Sequence, residues 1–191
     1  MGAERDWVRI VESSECDECG FDSANIDVSS LATALEVAGG SWAALLASAS
    51  TADLRTRPEP AVWSALEYGA HVGDVLALFA ARIDRTVAED EPDLGWWDHE
   101  AAVVAEGYND RDPSDVARAV EAGVEALIVS TDGLADDEWQ RAATRRERER
   151  FTVEGMARFA LHEAQHHLVD ARSSIARRAH DESMARDMAR V

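Results

Sequence analysis

FTVEGMARFALHEAQHHLVD, Phe151 to Asp170, decides how this chain is read. Its apolar residues recur at helical spacing, Thr152 can cap the start and Glu154 lies in the first turn. The stretch therefore predicts a helix that runs on into the arginines ending at Arg178. Inside it HEAQHH, His162 to His167, gathers three of the chain's 6 histidines. His162 and His166 fall one turn apart on the face that carries Phe159 before them and Val169 after, a stripe expected to be buried. Two imidazoles at i and i+4 can share one tetrahedral metal at roughly 2.0 to 2.1 Å. His167 is the rival of His166, and the spacing favours His166. Glu163, rotated by about 100° from His162, is expected in solvent.

His162 to His166 also spells H-E-x-x-H, the signature of zinc proteases in which the glutamate is general base. The continuation argues against that reading. One protease branch needs a glycine three residues after the second histidine and a third histidine three further on, where this chain has Val169 and Arg172. The other takes a downstream glutamate, and only Glu182 remains, in the polar tail HDESMARDMARV. Such proteases also set this helix against a sheet, and no convincing strand precedes it.

Working outward, three more helical patterns appear. The first is SSLATALEVAGGSWAALLASAS, with Ser29 or Ser30 as cap; the second runs from about Pro60 to Glu89 and the third from about Pro113 to Thr131. The expectation is an all-α domain: a leader over residues 1–28, a four-helix bundle over 29–178 and a polar tail over 179–191. The connections between helices two and three and between three and four are longer than bundle loops usually are, which points to function or a crossover topology. RRERER, Arg145 to Arg150, reads as a solvated charge run.

The 191 residues carry 38 acidic and 19 basic side chains, a formal charge of -19, which disfavours nucleic-acid backbones and anionic membranes as partners. All the basic residues are arginine. The start, MGAERDW, shows no apolar signal region, and no apolar run is expected to approach membrane-spanning length, so a soluble cytoplasmic protein is expected.

A third metal ligand should come from another helix, and His71 lies on the inward face of the second, with Tyr68 behind it and Val75 and Leu78 ahead. Joined to His162 and His166 it completes a three-histidine set with a fourth position open for water or substrate, the arrangement of a catalytic zinc. Zinc is expected first, although imidazoles also suit nickel, iron and copper.

WSALEYGAHV, Trp63 to Val72, followed far downstream by FTVEGMARFALHEAQHHLVD, resembles the DinB/YfiT superfamily of four-helix-bundle metalloproteins. The loop WWDHEAA and the leader CDECGFD extend the resemblance over most of the chain. In that superfamily one histidine of the second helix and an HxxxH pair of the fourth hold the metal, which the resemblance carries onto His71, His162 and His166. The superfamily includes thiol S-transferases and a mycothiol-dependent maleylpyruvate isomerase. The resemblance thus implies a mycothiol-like thiol as cosubstrate and a small electrophile as its partner. A related subgroup, the iron-binding domains of ergothioneine-type sulfoxide synthases, carries HxxxHxE; Leu168 stands in place of that glutamate here.

A zinc ion lowers the pKa of a coordinated thiol until it binds as thiolate, a nucleophile at neutral pH. Trp63, Trp97, His99 and His167 are the expected pocket residues, with Trp96 in the same loop. Asp74, three residues after His71, and Asp98 are candidate acids or bases; Asp74 could equally pair with an arginine. A non-catalytic binding module is the competing expectation, marked by a fourth protein ligand such as His99 or His167. A homodimer is compatible with either. Cys16 and Cys19 form a CxxC pair among Glu15, Asp17 and Glu18, carboxylates that disfavour a redox dithiol. A second metal there would need histidines or another subunit to complete it.

Overall fold

Ser64 and Glu67 set the start of the longest apolar helix by a reciprocal cap: Ser64 Oγ accepts from the Glu67 N–H at 3.2 Å, and Glu67 accepts from the Ser64 N–H at 2.8 Å. That helix, Ala65–Ala88, is one of four long ones among the residues described by the computed structural model, which are 15–145 and 149–188. They are α1 (Leu31–Ser48), α2 (Ala65–Ala88), α3 (Pro113–Thr131) and α4 (Val153–Met188). MGAERDW, the centre of RRERER and the last three residues lie outside the described residues.

α2 packs against α3 and α4, and α1 packs against the same two, so the sequence neighbours α1 and α2 lie across the bundle from each other. The close approach of α2 and α3 depends on glycine: a Cβ on Gly123 would sit 2.7 Å from Leu76 Cβ and 3.1 Å from the Gly73 carbonyl oxygen. Leu31, Leu35, Ala38, Trp42 and Leu46 form the buried stripe of α1, and the Trp42 indole donates to the Ala164 carbonyl of α4 at 2.8 Å. Val28–Ser48, mean hydropathy 1.3, is long and apolar enough to cross a membrane by length and composition, contrary to the expectation that no such run exists. Its buried stripe makes it a wall of the bundle core.

Three features differ from the helical reading. α2 begins at Ala65 rather than near Pro60, because Ser64 supplies the cap. The long connection before α4 folds into an antiparallel hairpin, β1 (Ala142–Arg145) and β2 (Glu149–Thr152), with Ala143 opposite Phe151. Four-residue strands are too short to display a period, but Phe151 anchors this pair in the core against Phe79 and Phe159. α4 continues to Met188 instead of ending at Arg178, since nothing in HDESMARDM breaks a helix. Its start is as expected: Thr152 Oγ1 accepts from the Gly155 N–H at 3.0 Å.

Candidate metal centre

Each step along α4 turns a side chain by about 100°, so His162 with His166 and Glu163 with His167 are two i,i+4 pairs facing different neighbours. Glu163 and His167 meet His71 of α2. Glu163 Oε2 lies 3.4 Å from His71 Nε2 and 3.4 Å from His167 Nε2. His162 and His166 meet the leader, where Cys16 Sγ lies 3.6 Å from His166 Nδ1. Among the described residues, three groups have ligand atoms all within 4.8 Å of one another: His71, Glu163 and His167; Cys16, Cys19, His162 and His166; and His166, His167 and Asp170. The expected set of His71 with His162 and His166 is thereby divided between two clusters, and Glu163, expected in solvent, is an inward residue between three imidazoles.

Charge in the first cluster is tightly organised. Burial pushes the Glu163 carboxyl up, but hydrogen bonding from His162, His167 and His71 outweighs it and holds the group well below the usual carboxylate range. Burial lowers His167 while Asp170 and Glu163 raise it, with the net result about 9. Burial lowers His71 despite Glu163, so this imidazole is neutral and suited to ligation. His71 Nδ1 is buried with no hydrogen-bond partner. His167 Nδ1 lies 2.9 Å from Asp170 Oδ2, an outer carboxylate that orients the ring and leaves Nε2 toward Glu163. Two histidines and a carboxylate beside an orphaned ring nitrogen fit a divalent metal, with the ligand set of catalytic zinc or non-haem iron.

This cluster stands at the edge of a cavity of about 450 Å³. Trp97 lies parallel to the His71 ring at 5.6 Å, and Trp63 meets the same ring edge-on at 5.2 Å. His99 and His167 also line the cavity, as do Arg82 and Arg145. Arg82 is 7% exposed, Phe79 lies under its guanidinium, and burial followed by the charge of Arg145 lowers its pKa to about 10. The two aspartates lie elsewhere. Asp74 accepts from the Tyr108 hydroxyl and lies 3.6 Å from Arg111 Nη1, while Asp98 caps the short helix His99–Ala105 by accepting from the Ala101 N–H at 3.0 Å. Neither lines the cavity. Sequence reasoning missed Glu163, Asp170 and the two arginines; the signal for Glu163 was its i,i+4 spacing to His167.

In the second cluster Cys16, His162 and His166 are 2%, 0% and 7% exposed. Burial pushes the Cys16 thiol up, but hydrogen bonds from His162 and the Cys19 and Glu18 backbone leave it lowered, whereas burial raises Cys19 to about 11.

A profile of the DinB superfamily matches residues 34–170. Among solved structures, the chain is similar to YfiT from Bacillus subtilis, described as a probable metal-dependent hydrolase with an unusual four-helix bundle topology. The TM-score is 0.72 at 16% identity, covering 87% of this chain and 95% of that one. It is also similar to the mycothiol-dependent maleylpyruvate isomerase, with a TM-score of 0.63 at 13% identity, over 78% of this chain and 62% of the other, so it spans under two thirds of that protein. At these identities the likeness is one of fold. No curated protein matches the sequence.

Proposed function

The chain belongs to the DinB superfamily, and from that premise we propose that it is a metal-dependent enzyme joining a small thiol of mycothiol type to a small electrophile, by S-transfer or thiol-assisted isomerisation. The observation that carries this reading is the convergence of His71, Glu163 and His167 at the edge of a cavity of about 450 Å³. Three ligands beside open space are the arrangement of a catalytic metal, whereas structural sites are closed by four. Zinc is the leading metal, with nickel or iron as alternatives. Bound there, a divalent cation supplies a lowered thiol pKa and hence thiolate near neutral pH.

The chain's own residues do the rest. His71 enters neutral and is held between Trp97 and Trp63, which fix the orientation of its ring. Asp170 engages His167 at Nδ1, so Nε2 is the nitrogen that faces Glu163 and would take a metal once its proton leaves. Glu163 remains ionised and offsets cationic charge in a dry site. Arg82 recognises the electrophile through a carboxylate, since its Nε has no hydrogen-bond partner, whereas the neighbouring Arg145 is already paired with Glu149 at 2.7 Å. The fold-level likeness to a mycothiol-dependent isomerase supports the choice of thiol. The acidic balance of -19 supports action on small molecules rather than on nucleic acid.

A non-catalytic binding module is the second reading, favoured by the rings of His99 and His167 standing 5.7 and 5.0 Å from that of His71 at the same cluster. Cobalt-substituted protein separates the two. Added mycothiol or a simpler thiol should produce additional sulfur-to-cobalt absorbance that is absent from His71→Ala and His167→Ala. Thiol transfer to bromobimane should vanish in the same variants. An unchanged spectrum at saturating thiol, with metal bound, removes the enzyme reading.

A further inference from the structure

We propose that Cys16, Cys19, His162 and His166 form a second metal site, a closed tetrahedral zinc centre that fastens the leader to α4. It is separate from the cavity cluster and shares no ligand with the set proposed there.

Geometry carries it first. With Zn–S near 2.3 Å and Zn–N near 2.0 to 2.1 Å, a tetrahedral sulfur-to-nitrogen edge is about 3.6 Å. Cys16 Sγ lies 3.6 Å from His166 Nδ1, and the four ligand atoms all lie within 4.8 Å of one another. The backbone prepares both sulfurs. Gly20 N–H donates to the Cys16 carbonyl at 2.8 Å and Cys16 N–H to the Phe21 carbonyl at 2.8 Å, closing a tight turn around the CxxC, with Gly20 at φ +72°. The other half is rigid by construction, because His162 and His166 are one turn apart on a long helix.

The surroundings suit the ion as well. His166 turns Nδ1 to the sulfur and Nε2 toward carboxylates, 3.4 Å from Glu18 Oε2 and 3.5 Å from Asp170 Oδ2, outer groups that favour the tautomer with its lone pair on Nδ1. Phe21, itself buried, covers the His162 ring edge-on at 5.2 Å. Zinc with two thiolates and two imidazoles is neutral, which a site this dry tolerates. Loading exchanges one Zn²⁺ for two thiol protons and requires no oxidant. The carboxylates that flank the CxxC, unhelpful to a redox dithiol, favour approach of a cation.

The test uses full-length protein purified without an affinity tag. Wild-type protein is expected to hold two metals per chain, and Cys16→Ser with Cys19→Ser to hold one. The Co(II) form should absorb in the sulfur-to-metal charge-transfer region with no thiol added. His71→Ala should keep that band while losing the other metal, and its zinc-edge X-ray absorption should fit two sulfur and two nitrogen neighbours. Because those spectra need no cysteine variant, misfolding of the double variant leaves the test intact. A resting protein without a sulfur scatterer, a Cys16–Cys19 disulfide under reducing purification, or a folded double variant with undiminished metal overturns the proposal. One metal with two sulfurs would sink the cavity site and leave this one; one metal lost with His71 and lacking sulfur would do the reverse.

Discussion

Glu163 holds its negative charge because three imidazoles surround it, and that mutual dependence makes it the sharpest place to perturb. Glu163→Gln keeps the shape and removes the charge. It should weaken metal at the cavity cluster by at least the 10- to 100-fold seen when an outer partner of a metal ligand is lost, while the resting sulfur-to-cobalt absorbance stays. Calorimetric titration of metal into the apoprotein reads the first effect. Elsewhere in the cavity lining, Arg82→Met should raise KM for a carboxylate-bearing electrophile by about 10- to 150-fold with kcat little changed, as expected for a charged hydrogen bond of about 1.5–3 kcal/mol made equally in ground and transition states. An unchanged KM would move the carboxylate away from Arg82. The sequence announced HEAQHH as metal-binding because few other roles need three imidazoles in six residues. It could not say which pair meets His71, since one residue of register rotates the choice by about 100° and the rotation of α4 is set by neighbours remote in sequence.

α2 and α3 approach closely enough that Gly123 has no room for a methyl group. Gly123→Ala should therefore destabilise the protein by about 1–3 kcal/mol, although alanine is the better helix former by about 1 kcal/mol. Urea denaturation followed by circular dichroism measures it; a stabilised variant would mean that the two helices can separate at little cost. The start of α4 was legible because Thr152 supplies a cap, whereas the Ser64 cap of α2 was passed over in favour of Pro60; the buried faces followed from periodicity. The hairpin was hidden because its signal rests on Phe151 and Ala143, two residues whose inward placement only the neighbouring Phe79 and Phe159 explain. The far end of α4 was hidden for the opposite reason: a polar stretch without breakers looks the same whether helical or not.

The whole molecule carries a formal charge of -19, so its folded form confines much like charge. Raising ionic strength from about 0.01 to 0.15 M shortens the screening length from about 30 to 8 Å, and Tm should rise by a few degrees. A fall would mean that ion pairs such as Arg178 with Asp53, 2.7 Å apart, outweigh the repulsion. Removing metal should act at this scale too: with both proposed sites filled, a chelator should free α2 from α4 and the leader from α4 together, and the drop in Tm should exceed that of His71→Ala alone. The arrangement that sets α1 across from α2 was not legible, because amphipathic faces tell that helices pack without telling which; only the long connections hinted at it. One consequence follows from the interleaving of the two clusters on consecutive residues of α4. A rigid helix cannot turn to relax one without turning the other, so filling the leader site biases the affinity of the cavity site. Thermodynamic reciprocity then requires that the cavity site bias the leader site by the same factor, whichever metal arrives first.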